Sequence, residues 1–444
     1  MKNIVLKVGL LPLLPVKNNR MKKIICLFIL LIFFKFHHVY SQANELYYSP
    51  YSYYGLGDYV PNNSLRNRAL GHIGIANSSP INIVMDNPAS YADLKQTTFE
   101  FSGSSKFSQF MTDTLSISRS NVAFDGITLG FPTNKRFTIV MGLTPLTKTG
   151  YKVKQLSDLY SDDDTLKILT IRSGDGGINQ AVLGFGAPLF KNKLKVGINA
   201  KYLFGNQSRY KETVFLFESK YSGIMVRNRI NYQGFGWQLG LMYADSIGKS
   251  TFKIGASYQS SINFKTYQIR ELNDVFFSFY SVNYQPFDTV ELGKGNYKKP
   301  SVWGFGIGLE QFNQFTYGLD FQFYDASDTR LNEPYTTFQK SFLVRTGLEW
   351  VPKFSEDNYW KKMAYRIGVY YHQSELKLFN QNINQMAITF GLGFPFRRTF
   401  SRLNFSFELG QRGILKPNLV KETYFSTGLG VTFNETWFIK RRLE

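Results

Sequence analysis

Along most of the chain, apolar and polar side chains alternate residue by residue. In the segment 402–410, Leu403, Phe405, Phe407 and Leu409 share one side, and Arg402, Asn404, Ser406, Glu408 and Gly410 share the other. Successive side chains of a β-strand point to opposite faces, so this pattern predicts strands with one apolar and one polar face. The same alternation sets Tyr317, Leu319, Phe321 and Phe323 against Gly318, Asp320 and Gln322. It sets Phe342, Val344, Thr346, Leu348 and Trp350 against Arg345, Gly347 and Glu349, and Leu194, Val196, Ile198, Ala200 and Tyr202 against Lys195, Gly197, Asn199 and Lys201. No sustained helical period follows Gln42.

About 14 such segments are predicted, near 97–108, 119–131, 136–150, 177–190, 194–206, 228–244, 251–265, 302–312, 315–326, 341–351, 363–374, 384–396, 402–412 and 421–433. At roughly 10–15 residues they exceed the ordinary strand length of about 5–6 and suit a tilted membrane crossing. Short links at 132–135, 191–193, 245–250, 313–314 and 397–401 alternate with longer ones at 151–176, 207–227, 266–301 and 327–340, the link 352–362 being long on the short side. The reading is all-β: a transmembrane antiparallel β-barrel with both termini periplasmic and long loops outside. The charged face must look inward, because a charge at the lipid midplane costs about 2–4 kcal/mol. Gly304, Gly306 and Gly308 fall inside a strand on that inward face, which excludes a dinucleotide-binding loop. On this pattern Phe405→Arg should impair assembly far more than Asn404→Arg.

Composition supports a lipid-facing surface: aromatic residues make up 17% of the chain and charged residues 19%, against about 25% charged in soluble domains. Met21, Lys22 and Lys23 open a secretory signal, residues 24–34 form its apolar stretch, and Val39 and Ser41 supply the small residues of a cleavage site. Residues 1–41 are therefore an upstream extension and a cleaved signal peptide, with the mature chain starting near Gln42. Its seven Lys and Arg account for part of the net charge of +20, leaving +13. The remaining basic residues are dispersed among aromatics rather than clustered in a stripe, which excludes nucleic acid as a partner. The single cysteine, Cys26, lies within the signal, so no disulfide or thiol chemistry is expected after it. No apolar stretch beyond Gln42 is long enough for a membrane helix, which takes about 20 residues.

Residues 42–96 are turn-rich and carry Gly55-Leu56-Gly57, Gly71-His72-Ile73-Gly74 and Asp86-Asn87-Pro88-Ala89-Ser90. A polar lumen of this size can hold such a segment as a plug. With the barrel at 97–433 and a basic periplasmic tail at 434–444, this organisation resembles the FadL-like family of outer-membrane transport proteins for long-chain fatty acids and other hydrophobic molecules. The resemblance rests on the Gly-rich segment followed by Asn87-Pro88-Ala89, on the strand count and on the plug preceding the barrel. The tail, with Gly410-Gln411-Arg412-Gly413, Lys421-Glu422-Thr423-Tyr424 and Trp437-Phe438-Ile439-Lys440-Arg441, is similar to the branch found in Bacteroidetes.

The resemblance implies passive uptake of a hydrophobic small-molecule ligand, which leaves sideways through a wall opening into the outer-membrane lipids. Asn87, Pro88 and Ala89 are the plug residues it carries over; no ligand-contacting residue follows from it. The competing reading is a scaffold, closed by its plug, that serves an envelope assembly or secretion machine and engages envelope proteins through its long loops.

Catalysis has one candidate. Tyr370-Tyr371-His372-Gln373-Ser374 is similar to the His-x-Ser arrangement of outer-membrane phospholipase, but Glu375-Leu376 replaces the Asn-Gly that follows, and His372 and Ser374 share the inward parity of Arg366. A lipid-cleaving site should face the membrane, so no enzyme activity is expected. His72 is the other histidine past the signal, and Asp162-Asp163-Asp164 with Asp175 lacks the spacing of a calcium loop. Neither a metal nor another cofactor is expected.

Overall fold

The computed structural model describes residues 49–436, apart from 62–63, 134–136, 161–164, 191, 217–221, 279–280, 313, 328–335, 354–357 and 398. The expected signal peptide, the acidic run 162–164 and most of the tail lie outside the described residues. The strands are β1 (Asp58–Tyr59), β2 (Thr97–Met111), β3 (Ser116–Thr133), β4 (Phe137–Tyr160), β5 (Thr165–Leu189), β6 (Leu194–Leu216), β7 (Gly223–Ile247), β8 (Ser250–Gln259) and β9 (Ile262–Ser278). They continue with β10 (Ser281–Lys299), β11 (Val302–Gln311), β12 (Phe315–Asp325), β13 (Thr336–Phe338), β14 (Lys340–Trp350), β15 (Ala364–Leu378), β16 (Gln381–Pro395), β17 (Arg402–Arg412) and β18 (Lys421–Glu435).

These segments make a closed antiparallel barrel of 14 strands. Three wall strands are each written in two pieces, β8 with β9, β10 with β11, and β13 with β14, and β1 belongs to the N-terminal segment. Closure comes from β18 pairing with β2, from Lys421↔Met111 to Glu435↔Thr97. Closing the ring removes the sheet edge, which hydrocarbon cannot hydrogen-bond. β18 runs through Glu435, two residues past the expected end at 433, because Asn434 and Glu435 still ladder to Thr98 and Thr97.

Burial follows the alternation, with its usual sense reversed. Phe305 and Leu429 are 53% and 51% exposed on the outer face, while Asp320 and Arg345 are 1% and 3% exposed inside. Such a surface is stable only where its surroundings are as apolar as itself. The predicted facings of Arg345, Glu349, Asp320, Lys201 and Arg402 all hold: each is buried inside the wall.

The long links depart from expectation. Three of them, at 151–176, 207–227 and 266–301, are hairpins in which the strands continue, with ladders reaching Tyr160↔Thr165, Thr213↔Ile224 and Ser281↔Ser278. Alternation is loose there, but β-branched and aromatic residues such as Val153, Ile168, Val214 and Phe276 keep strand propensity high. Pairing the backbone of both arms then satisfies groups that an irregular loop would leave to water.

Candidate functional site: the occupied lumen and the split wall

The N-terminal segment packs against inward-facing residues of strands on every side of the ring. Its few helical turns are locally capped: Ser64 opens α1 (Leu65–Arg68) and Asn87 opens the 3-10 turn Pro88–Asp93. Asn87 is fully buried. Its Oδ1 accepts the Ala89 N–H at 3.0 Å, and its Nδ2 donates to Ile75 O at 2.7 Å and to the wall carbonyl Leu241 O at 3.1 Å. Pro88 fixes the first turn, where its missing N–H costs nothing. The triplet Asn87, Pro88 and Ala89 thus closes a turn and fastens it to β7.

Inward glycines make the fit possible. Gly197 pairs with both Gly186 and Gly240 across three strands, and a Cβ on Gly197 would overlap the Pro88 carbonyl. Gly347 pairs with Gly368, and a Cβ on either would collide with the backbone of Leu70–Gly71. Gly255 receives the Ile75 carbonyl in the same way, and Gly304 and Gly306 take the Ile75 side chain. The inward facing expected of Gly304, Gly306 and Gly308 holds, and residues Ile75 and Ala76 of the N-terminal segment fill the space beside them.

Charges lock the contact. Glu349 lies between Arg66 of the segment and Arg366 of β15, at 2.6 Å from each. Asp320 accepts the N–H groups of Gly74 and Ile75 at 2.6 and 2.8 Å, and Arg345 reaches Asp86 at 3.1 Å. Glu408 takes Tyr370 and Tyr424 hydroxyls at 2.6 and 2.8 Å and faces His72 at 3.3 Å. Glu100 accepts from Asn82 Nδ2 and the Ile83 N–H at 3.1 and 3.2 Å. Desolvation makes such pairs poor sources of net stability, but removing one partner costs about 3–5 kcal/mol. They therefore specify one position of the segment.

Higher in the lumen the filling is apolar. The wall strand made of β8 and β9 breaks at Ser260–Ser261, where Trp237 N–H donates to Ser260 Oγ at 2.9 Å. The inward set shifts from Gly255 and Ser257 to Ile262 and Phe264, which join Leu56, Ile178, Leu203 and Tyr232 in one cluster. Leu56 of the N-terminal segment occupies the middle of what would otherwise be an apolar recess. A cavity beside the segment, lined by Ser64, Ile83, Met85, Glu100, Asp125, Thr128 and Thr144, has about 30 Å³, room for one or two waters.

Among the described residues, the ladder between the neighbouring wall strands β3 and β4 is cut short. Their ladder runs only from Thr133↔Phe137 to Ile127↔Leu143, and above it Ser116–Gly126 pairs with β2 alone. Asp125 is the extra residue of a bulge, between the pairs Ser102↔Gly126 and Gly103↔Phe124. Gly126, at φ 129°, takes a backbone angle that other residues avoid. On β4, Pro145 has no N–H to offer, and the register with β5 slips between Pro145 and Thr147. The edge of β4 above this point is taken by the N-terminal segment: Asp58↔Lys148 and Tyr59↔Thr147 pair as strands, Val60 N–H donates to Leu146 O at 2.9 Å, and Ser49 N–H to Gly150 O at 3.1 Å. Asp125 holds the split together, accepting from Ser104 Oγ at 2.9 Å and Arg68 at 3.0 Å, while Lys148 Nζ donates to Phe124 O at 3.3 Å.

Sequence reading did not locate this split. The signals were Asp125-Gly126 and Pro145, each a break in an otherwise regular strand. The catalytic candidates have other partners: His372 Nε2 lies 3.2 Å from Ser341 Oγ, and Ser374 Oγ accepts the Leu376 N–H at 2.9 Å. Asp175 accepts the Tyr210 hydroxyl at 3.3 Å. Among the described residues no group of His, Cys, Asp and Glu has metal-site geometry.

Comparison with solved structures gives the fold of outer-membrane hydrophobic-compound channels. The CymD monoaromatic hydrocarbon channel matches at 13% identity and a TM-score of 0.55, covering 86% of this chain and 99% of the channel. A Pseudomonas aeruginosa FadL homologue matches at 12% identity and 0.57, covering 85% and 98%. The Ralstonia pickettii toluene transporter TbuX matches at 14% identity and 0.56, covering 84% and 98%. No curated protein matches the sequence. The family model BamG matches residues 21–444, nearly the whole chain, and the chain belongs to the BamG family.

Proposed function

We propose that this protein is a plugged outer-membrane barrel that works as a structural or interaction subunit of an envelope assembly, with residues 49–96 as a fixed plug. The observation that carries this reading is the filled lumen. Segment backbone sits on wall glycines, Leu56 occupies the apolar recess, and buried ion pairs bind the two together. The cavity beside Glu100 and Asp125, about 30 Å³, has room for water only, small-molecule sites taking roughly 300–1,000 Å³. A solute crossing this lumen would have to displace the Arg66–Glu349–Arg366 arrangement and strand β1 together.

The second reading is a channel for hydrophobic compounds, long-chain fatty acids among them, with the plug moving aside and the β3/β4 split as the exit. The fold likeness and the presence of a split favour it. Against it stands the lining of the split by Asp125, Arg68, Lys148 and Glu100, a poor path for an apolar solute. Gene deletion separates the readings. The subunit reading expects unchanged uptake of labelled fatty acid and toluene, and recovery of the barrel from gently solubilised membranes in a stoichiometric complex with other envelope proteins. Uptake that collapses on deletion, with a barrel that purifies alone, would overturn it in favour of transport.

A further inference from the structure

The geometry points to a lipid headgroup site on the outside of the wall: we infer that Lys265, Lys294 and Lys298 bind a phosphomonoester of lipid A, the phosphorylated glycolipid of outer-membrane surfaces. Its acyl chains lie against the aromatic belt below the three lysines. The site is on the lipid-facing surface, so it holds whichever reading of the lumen stands, and it sets the long hairpins on the outer side, where that lipid lies.

Two breaks in the wall create the site. β9 continues β8 past Ser260–Ser261, β10 leads into β11 past Pro300–Ser301, and the breaks stand side by side between the pairs Val302↔Gln259 and Lys299↔Ile262. Both strands turn over there. Below the breaks Gly255 and Gly304 face the lumen, against Ile75. Above them Ile262, Phe264 and Tyr297 face it, packed around Leu56, and Lys299 lies over the Tyr59 ring at 5.8 Å. Alternation then turns Asn263, Lys265, Lys294 and Lys298 to the outside, and all four are exposed.

The three lysines form one cluster. Lys265 pairs with Asn296, so Lys294 and Lys298, two residues to either side, are its diagonal neighbours at about 7–8 Å. Among the described residues none of the three is in an ion pair. Two acids on the same face are engaged, Glu291 by the Tyr267 hydroxyl and Asp325 by the Ser327 hydroxyl at 2.7 Å. Such a cluster repels itself until an anion joins it. Its position supplies the anion. On the outer face just below the breaks, Tyr258 stacks at 4.4 Å on Trp303 and at 5.3 Å on Trp237. The belt rises further on β6 and β7, where Tyr202 and Phe235, 49% and 64% exposed, pair with each other. Gln233 pairs with Lys265 and Asn263 with Lys298, which puts Lys298 in the row of Phe235. Exposed aromatics at the top of a belt mark where hydrocarbon gives way to headgroups. A lipid whose chains cover them therefore sets its headgroup on the lysines. Three cations with no free acid among them match a phosphomonoester, at about −1.5 to −2 charges, better than a zwitterionic diester headgroup.

The test uses the full chain in phosphatidylethanolamine nanodiscs that contain lipid A, lipid A stripped of its phosphates, or phosphatidylglycerol. Amine acylation, read by mass spectrometry, should slow at least about fivefold at Lys265, Lys294 and Lys298 with intact lipid A alone, and stay unchanged at Lys353. Native mass spectrometry supplies the second readout. The unaltered chain should retain about one lipid A per barrel, and the triple variant Lys265→Gln, Lys294→Gln, Lys298→Gln at least about tenfold less. Lys193→Gln, Lys249→Gln, Lys353→Gln removes the same charge from links at the other end of the barrel and should retain the lipid.

Equal protection by stripped lipid A or by phosphatidylglycerol would overturn the inference. So would equal retention by the two triple variants. Protection by inorganic phosphate alone, in phosphatidylethanolamine discs, would replace the lipid with a free anion and sink the proposal. Acylation at full rate in every disc, with no lipid A retained, would leave the three lysines to water and end it as well.

Discussion

Two junctions in the same wall behave in opposite ways. β18 and β2 come from the two ends of the barrel sequence, yet they ladder along the whole 15-residue length of β2. β3 and β4 are neighbours in the chain, yet they separate above Ile127↔Leu143. Chain proximity helps a hairpin start, but what keeps two strands together is uninterrupted donors, acceptors and register along both. β18 and β2 meet that condition. β3 bulges at Asp125, β4 carries Pro145, and β1 of the N-terminal segment pairs with the β4 edge.

The largest expected effect comes from Gly368→Leu, which drives a side chain into the backbone of Leu70–Gly71. Overpacking against side chains costs about 1–3 kcal/mol, and main chain cannot step aside, so loss of the heat-modifiable folded barrel on gels is expected. If the variant instead folds with only the β3/β4 split more open, the plug is more movable than its contacts indicate.

Glu349→Ala should follow, at about 3–5 kcal/mol, because it strands Arg66 and Arg366 in the interior. Chemical unfolding in detergent measures it, and Glu349→Gln should recover part of the loss. Phe405→Arg, next to the continuous junction, should cost about 2–4 kcal/mol by placing a charge toward lipid. Asn404→Arg, expected to impair assembly far less, carries a cost of its own: Asn404 is 2% exposed and accepts from Arg366 Nη1 at 2.9 Å, so a second cation there also destabilises.

A smaller, local effect is expected from Asp125→Asn, about 1–3 kcal/mol for a buried acceptor losing its charge-assisted bonds. The readout is maleimide labelling, which should speed up at Thr144→Cys beside the split and stay unchanged at Ser406→Cys in the continuous wall; equal changes would mean that Asp125 stabilises the whole ring.

The smallest effect concerns pH. Burial by itself would raise the Asp93 carboxyl, but Lys195 at 2.5 Å and a bond from Ser78 hold it below the usual carboxylate range. A depressed folded value means that this tether acts in full above the unfolded value of about 3.9 and is lost as pH falls through the folded one. Melting temperature should decline slightly on acidification through that window, and Asp93→Asn should remove this part of the decline.

The plug triplet was legible in part. Asn87-Pro88-Ala89 stood in a turn-rich stretch and was carried over by a family resemblance, with Pro88 restricting the backbone at Asn87. Its attachment to Leu241 O and to the glycines of β5, β6 and β7 was not, because those partners stand about 100 to 150 positions along the chain.

What the sequence determined by itself is the wall. Strand positions, facing and the even count all follow from a two-residue period that lipid outside and charge inside enforce at every step, as Phe405 against Glu408 or Leu319 against Asp320 shows. The tertiary structure alone decided where the wall stops pairing and what fills it. Those outcomes depend on one acceptor, one missing N–H and a few absent Cβ atoms meeting groups far away in the chain, and no local period encodes such meetings.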